Sequence, residues 1–198
     1  MTVPYAAAPA ARRWWLAALA LTLAFRFWLA AAAPVTADEA YFILWGRAPA
    51  LGYYDHPPMV GWLLAPLAAV SDAPWLLRLP AVLLPAAVAL MAHGALRAWF
   101  GRDEDTARLA ALAILLVPMN VWNVLITTDT PLVFFSAASL LVFAQAARRD
   151  SAAGFLAAGV LLGLAFLSKY FAVLLGLAVW GLVDWRRAEG RQLRAVPA

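Results

Sequence analysis

Five long segments of this sequence carry almost no charge, and their lengths limit the folds that the chain can adopt. They cover residues 14–34, 79–96, 109–126, 131–147 and 152–168. Each is close to the roughly 20 residues that an α-helix needs to cross the hydrocarbon core of a bilayer. A sixth apolar segment, residues 170–183, follows Lys169. Because residues 151–183 as one helix would be about 50 Å long, we expect a helical hairpin with Lys169 near its tip.

The composition agrees with a membrane location. Hydrophobic residues make up 66% of the 198 positions and charged residues 13%, whereas soluble domains carry about 25% charged residues. The sequence therefore predicts an all-α membrane protein, a polytopic bundle of about six transmembrane helices in which residues 1–198 form a single N-terminal transmembrane domain. The absence of cysteine excludes disulfide bonds and thiol chemistry in this chain.

The arginines indicate how the spans are oriented. If six spans alternate from a cytoplasmic N-terminus, most arginines fall on the cytoplasmic side, as the positive-inside rule requires. The arginines on that side are Arg12, Arg13, Arg97, Arg102, Arg108, Arg148, Arg149, Arg186, Arg187, Arg191 and Arg194. The net charge of +4 then reflects topology, and we expect no nucleic-acid partner.

A secretory signal peptide is the alternative interpretation of the N-terminus. Arg12 and Arg13 precede an apolar run that ends in "LAAAAP", which is similar to a small-residue cleavage site. Arg26 interrupts this run, however, and the run is long enough to span the membrane. We therefore interpret residues 14–34 as the first transmembrane helix.

The longest segment between spans, about residues 35–78, is expected to be extracytoplasmic and to contain amphipathic interfacial helices, because it is rich in aromatic residues. Thr36 and Glu39 have the spacing of a capping box, which predicts a helix that begins at Ala37. Glutamine also completes a capping box, so the pattern predicts that Glu39→Gln is mild. Asp38 has no such structural explanation beyond a favourable interaction with the helix dipole.

A second group of polar residues lies in the same loop, in "GYYDHPP". Pro57 and Pro58 remove two backbone donors and favour an extended conformation before them. Asp55 and His56 are therefore expected on a stiff, non-helical edge. A solvated turn at the membrane surface is the simpler explanation of this motif.

Two further polar sites occur at the ends of later spans. In "ITTDTPLVF", Thr130 is expected to cap a helix that begins at Pro131, which leaves Asp129 unexplained. In "FLSKYF", Lys169 could simply extend its amine from the membrane to the interface.

The alternation of spans places all these residues on one side of the membrane. The acidic members are Asp38, Asp55 and Asp129, and the cationic candidates are His56, Arg78 and Lys169. Ionisable residues at membrane depth are costly and usually functional. Carboxylates that face cations suit a reaction in which one group activates a hydroxyl, or binds a divalent cation, while the cations stabilise an anionic leaving group.

Five motifs, in order, carry a resemblance to a known family. They are "ADEAYFILWGR", "LGYYDHPPMVGWL", "RLPAVLLPAAVAL", "TTDTPLVFF" and "GVLLGLAFLSKY". The sequence resembles the N-terminal part of bacterial integral-membrane glycosyltransferases of the C superfamily, with the protein O-mannosyltransferase-like enzymes and the lipid A aminoarabinose transferases as the nearest groups. Family members usually continue through further spans, so we expect the chain to be a fragment of a longer protein, inactive alone if the missing spans complete the site.

The resemblance implies roles for individual residues. Asp38 matches a catalytic aspartate in the first loop, and Asp129 a second aspartate required for activity. Asp55 and His56 replace a Glu-Lys pair of the aminoarabinose transferases, and because histidine is charged only when protonated, this replacement alters the phosphate contact. Lys169 matches a lysine near the donor phosphate.

The remaining assignments are less specific. Glu39 and Arg78 are assigned to substrate binding, and Asp38 and Asp55 are candidate ligands of a divalent metal ion of unknown identity. We expect no organic cofactor.

The resemblance also implies an activity. The expected reaction is an inverting transfer of a sugar from a polyprenyl-phosphate-linked donor to a lipid, glycan or protein acceptor. The expected location is the bacterial inner membrane, with a multi-pass chain in contact with membrane lipids and an active site on the extracytoplasmic face.

Two other classes of function remain open at this point. A transporter or lipid flippase would place its polar residues near the bilayer midplane, on broken helices. A non-catalytic membrane subunit or remnant would keep the spans without needing to hold Asp38, Asp55, Asp129 and Lys169 together.

Overall fold

The protein is helical throughout the part of the chain that can be described. The computed structural model describes the backbone of residues 9–194 apart from residues 119, 121 and 122, and the side chains of residues 12–185 with the same gaps. Within these residues the helices are α1 (Pro9–Ala32), α2 (Ala37–Arg47), α3 (Met59–Ala68), α4 (Pro74–Leu77), α5 (Leu79–Phe100), α6 (Glu104–Leu116), α7 (Asp129–Arg149), α8 (Ala152–Ser168) and α9 (Ala172–Arg194). No β-strand occurs in the described residues. The predicted all-α membrane fold is confirmed.

Three of the predicted spans correspond to helices that are long and apolar enough, by length and composition, to cross a membrane. They are Arg12–Ala32, Pro74–Phe100 and Asp129–Arg149. Shorter apolar helices cover Met59–Ala68, Ala152–Ser168 and Ala172–Trp185. The predicted count of about six spans therefore divides into three long helices, together with shorter ones that include the fifth and sixth predicted segments.

The third predicted span differs from the expectation, because its helix ends early. The sequence is apolar from Leu109 to Ile126, but α6 ends at Leu116. Pro118 explains the end of the helix, since a proline forces the residue before it into an extended conformation. Val117 has φ −53° and ψ 129°, as this constraint requires.

The start of α7 also differs from the prediction. This helix begins at Asp129 and not at Pro131, and Thr130 does not cap it. Thr130 Oγ1 instead lies 3.3 Å from Thr127 Oγ1. Pro131 is tolerated inside the first turn because backbone N–H groups there have no intrahelical partner to lose.

The hairpin expected around Lys169 is present. Helix α8 ends at Ser168, Lys169 is extended, and α9 begins at Ala172. A methyl group added at Gly176 would lie 3.6 Å from Leu162 Cδ2, so the two helices run back along each other from the turn. The turn presents Lys169 at the end of the bundle.

Helices α2 and α3 form a compact unit in the first loop. Gly46 lies against Leu64 so closely that an added methyl group would lie 2.7 Å from Leu64 Cβ. Phe42, Trp45 and Ile126 belong with Leu64 to one buried apolar cluster. This cluster joins the first loop to the segment that precedes α7, and so fixes the two parts of the chain that carry most of the polar residues discussed above.

A charged residue is buried in the C-terminal half of α1. The Arg26 side chain is fully buried, and its Nη2 donates to the carbonyl oxygens of Ala81 (2.6 Å) and Asn123 (3.3 Å). Its Nε and Nη1 have no hydrogen-bond partner among the described residues. Charged residues in membrane helices generally face the bundle interior, where backbone carbonyls can partner them, and Arg26 follows this rule.

Candidate active site

A polar pocket lies where four separate segments of the chain meet. It has a volume of about 310 Å³ and is bounded by the start of α2, the loop before α3, the segment before α7 and the α8–α9 turn. Its walls contain Asp38, Asp55, His56, Asp129 and Lys169. The structure therefore brings together five of the predicted site residues, while Glu39 and Arg78 do not line the pocket.

Asp38 is held at the pocket by a well-defined helix start. Thr36 caps α2, its side chain accepts a hydrogen bond from the Glu39 amide, and the Glu39 carboxylate accepts one from the Thr36 amide. The predicted capping box and the predicted start at Ala37 are both confirmed. The Asp38 side chain is exposed and forms no hydrogen bond or ion pair with any residue in the described part of the chain. Its carboxylate is therefore open to the pocket.

Beneath the pocket, Arg78 forms a buried ion pair with Glu39. Both side chains are 1% exposed. Arg78 Nε and Nη2 each donate to one Glu39 carboxylate oxygen at 2.7 Å. The remaining N–H groups of Arg78 donate to the carbonyl oxygens of Ala30 (2.8 Å), Ala33 (2.8 Å) and Pro34 (2.9 Å) at the end of α1. All five donors of the guanidinium are used.

Glu39 accepts hydrogen bonds from three parts of the chain. Besides Arg78 and Thr36, the backbone N–H of Ile126 donates to Glu39 Oε1 at 3.1 Å. Burial alone would raise the pKa of Glu39, but hydrogen bonds from Arg78, Thr36 and Ile126, together with the charge of Arg78, lower it below its ordinary value. Glu39 is therefore a buried carboxylate ion that holds α2 against the segment before α7.

This environment changes the expectation for Glu39. The sequence pattern explained Glu39 by the capping box alone, and on that basis Glu39→Gln was expected to be mild. In the structure the same change leaves the buried charge of Arg78 without its counter-ion, and breaking a buried pair costs about 3–5 kcal/mol. In this conformation Glu39 and Arg78 support the pocket from below, and direct substrate contact by either residue stays a prediction.

Lys169 and Asp129 form an ion pair inside the pocket. Lys169 Nζ lies 2.8 Å from Asp129 Oδ1 and 3.0 Å from Oδ2, and it also lies 5.5 Å from the centre of the Phe171 ring. About a quarter of the Lys169 side chain and more than half of the Asp129 side chain are exposed. The pair is therefore accessible to a ligand that could compete for either charge.

Asp55 and His56 lie together in another part of the pocket lining, in the loop before α3. His56 Nδ1 is 3.1 Å from Asp55 Oδ2, although the alignment does not satisfy hydrogen-bond geometry, and this nitrogen has no hydrogen-bond partner among the described residues. The imidazole packs edge-on against Phe42. The backbone N–H of Tyr53 donates to the His56 carbonyl at 3.0 Å, which closes a non-helical turn as the two prolines predicted. Asp55 and His56 thus present polar groups to the pocket, while Phe42 packs against the imidazole. Polar groups in this position can form hydrogen bonds with a ligand that carries many oxygen atoms.

A second cavity adjoins the polar pocket. It has a volume of about 370 Å³, lies between α5, α6 and α7, and shares Thr127 and Asp129 with the polar pocket. Thr127 was not identified from the sequence, although it stands in the quoted "TTDTP" motif, two residues before Asp129. Asp129 can therefore be approached from two directions.

A metal site is not assembled in this conformation. Asp38 and Asp55 line the same pocket, but within the described residues no three His, Asp or Glu side chains are grouped closely enough to hold a metal ion. The residues present do not fit a three-ligand site, so the metal stays a prediction and no step below depends on one.

The helical fold and the pocket lined by ionisable groups describe a membrane protein with a candidate active site, and comparison with known proteins identifies it as a membrane glycosyltransferase. The chain belongs to the dolichyl-phosphate-mannose-protein mannosyltransferase family, whose model matches residues 55–193. The resemblance predicted from the five motifs is thereby confirmed.

A characterised relative supports the same assignment. Over 135 residues the chain is 33% identical to the lipid A galacturonosyltransferase RgtD of Rhizobium johnstonii (strain DSM 114642 / LMG 32736 / 3841), a match that covers 67% of this chain and 28% of RgtD. The chain thus spans less than a third of the length of that relative. No solved structure matches the chain significantly.

Proposed function

We propose that the chain forms the catalytic end of a membrane glycosyltransferase that transfers a sugar, with inversion, from a polyprenyl-phosphate donor to a hydroxyl acceptor. The observation that carries this proposal is the polar pocket, where Asp38, Asp55, His56, Asp129 and Lys169 meet from four distant segments. A transporter would need polar groups along a path through the membrane, and a non-catalytic remnant would have no need to keep these five together.

The carboxylates divide the work of the reaction. Among the described residues, Asp38 is the pocket carboxylate with no cationic side chain beside it, and it is the group that removes the proton from the acceptor hydroxyl. The acceptor oxygen then forms a bond to the anomeric carbon, and the bond from that carbon to the phosphate oxygen breaks. The polyprenyl phosphate leaves with the bonding electrons, and attack from the opposite face inverts the anomeric centre.

The cations stabilise the departing phosphate. Lys169 supplies a positive charge to the pocket from the α8–α9 turn, and His56 adds a donor when it is protonated. Asp129, paired with Lys169, keeps the ammonium group in place before the donor arrives. An anionic leaving group would then form an ion pair with Lys169, either beside Asp129 or in its place.

The donor and acceptor are suggested by the relatives. The family description names mannose on a polyprenyl-type phosphate, and RgtD is described as acting on lipid A with galacturonic acid. We therefore propose a hexose or hexuronic acid donor and a lipid or protein acceptor outside the cytoplasm. Undecaprenyl-phosphate mannose and undecaprenyl-phosphate galacturonic acid are the donors to test first.

The test is a comparison of membrane lipids and glycans by mass spectrometry, with and without the complete gene. We expect one acceptor to lose the mass of a single sugar in the deletion strain, and a plasmid-borne copy, but not Asp38→Asn, to restore it. Purified protein should transfer the same sugar from one of the two donors. Identical lipids and glycans in both strains, with no transfer in vitro, would overturn the proposal.

The extracytoplasmic position is tested separately, by labelling. Cysteines introduced at Gly52 and Arg191 should react with an impermeant thiol reagent from outside and inside the cell membrane, respectively. Labelling of both from one side would contradict the six-span topology and the position of the site.

A further inference from the structure

The Glu39–Arg78 pair touches three segments of the chain without reaching the pocket itself. It is among the least exposed pairs of side chains described, and neither residue lines the polar pocket. A buried ion pair is weak grounds for stability, because the cost of removing both charges from water offsets much of their attraction. The contacts of Glu39 and Arg78 indicate a role in positioning other parts of the chain rather than in stability.

The contacts of Glu39 connect the two walls that carry the aspartates. Asp38 is the chain neighbour of Glu39, and Asp129 follows Ile126 by three residues. The hydrogen bond from the Ile126 amide to Glu39 therefore links the start of α2 directly to the segment that leads into α7. Movement of either wall would break this bond in the interior, where no water replaces it.

Arg78 fixes this link to a third element. Its guanidinium spans the gap between Glu39 and the carbonyl oxygens at the end of α1. Lysine would keep the positive charge, but it has three rotatable donors in place of a rigid five-donor fork. Charge alone therefore cannot reproduce the connection.

We propose that Glu39 and Arg78 are positioning residues that set the separation of Asp38 and Asp129 across the polar pocket. The effect on catalysis rests on the proposed transferase function, whereas the effect on geometry does not. Reacting groups must be held in near-attack geometry, and a displacement of about 1 Å can cost roughly 100-fold in rate. A fixed separation of the two walls would thus contribute to the turnover number more than to donor affinity.

The geometric part is tested by distance measurements between spin labels. Leu44 on α2 and Val133 on α7 are both more than half exposed, and residues 1–198 contain no cysteine. Any cysteine elsewhere in the complete protein is replaced by serine before labelling. In the complete protein, reconstituted in lipid nanodiscs, double electron–electron resonance should give a narrow distance distribution. Glu39→Gln and Arg78→Lys should both broaden it.

A matched control exists at the other end of α2. Arg47 pairs with Asp72 at 2.8 Å, but both side chains are at least half exposed. Exposed pairs of this kind contribute little. Arg47→Gln removes the same type of interaction from the same helix, and it should leave the distance distribution as it is.

The kinetic part separates positioning from simple folding. Arg78→Lys keeps the ion pair charged, so the protein should fold, yet kcat should fall about 10- to 100-fold while KM for the donor changes less than about 3-fold. Glu39→Asp, which keeps the charge on a shorter arm, should recover folding more fully than kcat. The outcome is decided by Arg78→Lys. The test therefore remains valid even when the Glu39→Gln protein does not fold.

The outcomes distinguish the two proposals. Unchanged distance distributions in Arg78→Lys, or a normal kcat in that variant, would overturn the positioning role. Suppose that the distance distributions broaden in Glu39→Gln and Arg78→Lys but the unmodified protein transfers no sugar. This result would support the geometric role of the pair and would overturn the proposed transferase function. Broadening in Arg47→Gln as well would show that any loss of charge loosens α2, and would also overturn the proposal.

Discussion

Lys169 Nζ contacts both carboxylate oxygens of Asp129, at 2.8 and 3.0 Å, although the two residues are 40 positions apart in the chain. Lys169 is also the single lysine of a chain that otherwise uses arginine for positive charge. Lysine presents a compact charge on a flexible stem, which can change partners more easily than an arginine fork. The pair therefore suits a site where an incoming phosphate takes over an existing contact.

We expect Lys169→Met to weaken use of the donor. Loss of a charged hydrogen bond worth about 1.5–3 kcal/mol corresponds to roughly 10- to 100-fold in donor KM or in kcat/KM. Lys169→Arg keeps the charge and should lose less. The measurement is steady-state transfer by the complete protein. Equal kinetics for Lys169→Met and the unmodified protein would show that this lysine only reaches to the interface.

Asp38→Asn is expected to remove activity without loosening the fold. The side chain is exposed and unpaired within the described chain, so the thermal midpoint should stay the same, while transfer should fall by about 100-fold or more, as expected for a general base. Asp72→Asn, which changes an exposed carboxylate outside the pocket, is the control. A fully active Asp38→Asn protein would mean that another group is the base.

Glu39 should make the stability of the protein depend on pH. Burial would raise its pKa, but its hydrogen bonds and Arg78 lower it below the ordinary value of 4.5. A carboxyl group with a lowered pKa contributes stability that is complete above the ordinary value and is lost as the pH falls through the lower, folded value. Thermal melts in detergent should therefore show the unmodified protein losing stability below about pH 4.5 more steeply than Glu39→Gln. Parallel curves would contradict this assignment.

Gly46→Ala should destabilise the unit formed by α2 and α3. The added methyl group would lie 2.7 Å from Leu64 Cβ and 3.2 Å from the Leu64 carbonyl carbon, so the backbone must move. Overpacking of this kind costs about 1–3 kcal/mol. Gly52→Ala, in the same loop, has no atom within 4 Å of the added group and should melt like the unmodified protein. Equal melting of the two variants would show that the helix crossing is loose.

Local chemistry made several of these features predictable from the sequence. The spacing of Thr36 and Glu39 gave the start of α2, because a capping box involves only neighbouring residues. The break at Lys169 followed from the length limit on one crossing. The meeting of Asp38, Asp129 and Lys169 was predicted from an alternation of six spans, and the structure places all three residues at one pocket.

Other features depended on contacts that spacing does not encode. Glu39 and Arg78 are separated by 39 positions. The sequence around Arg78 does not show whether its guanidinium is buried in an ion pair or exposed at a helix end. The early end of α6 is encoded locally by Pro118. The prediction missed it because it was based on hydropathy, and the sequence is apolar as far as Ile126.

The buried guanidinium of Arg26 has a consequence for how the protein is made. An arginine at the centre of a span disfavours insertion by about 2.5–3.5 kcal/mol, and the cost is smaller for Arg26 because it lies nearer the end of α1. The carbonyl groups that receive it belong to Ala81 and Asn123, so they are synthesised 55 and 97 residues later. When α1 first enters the membrane, Arg26 therefore lacks both of these carbonyl partners. We therefore expect the membrane insertion of α1 to be stabilised by assembly of the bundle, once the chain has been made as far as Asn123.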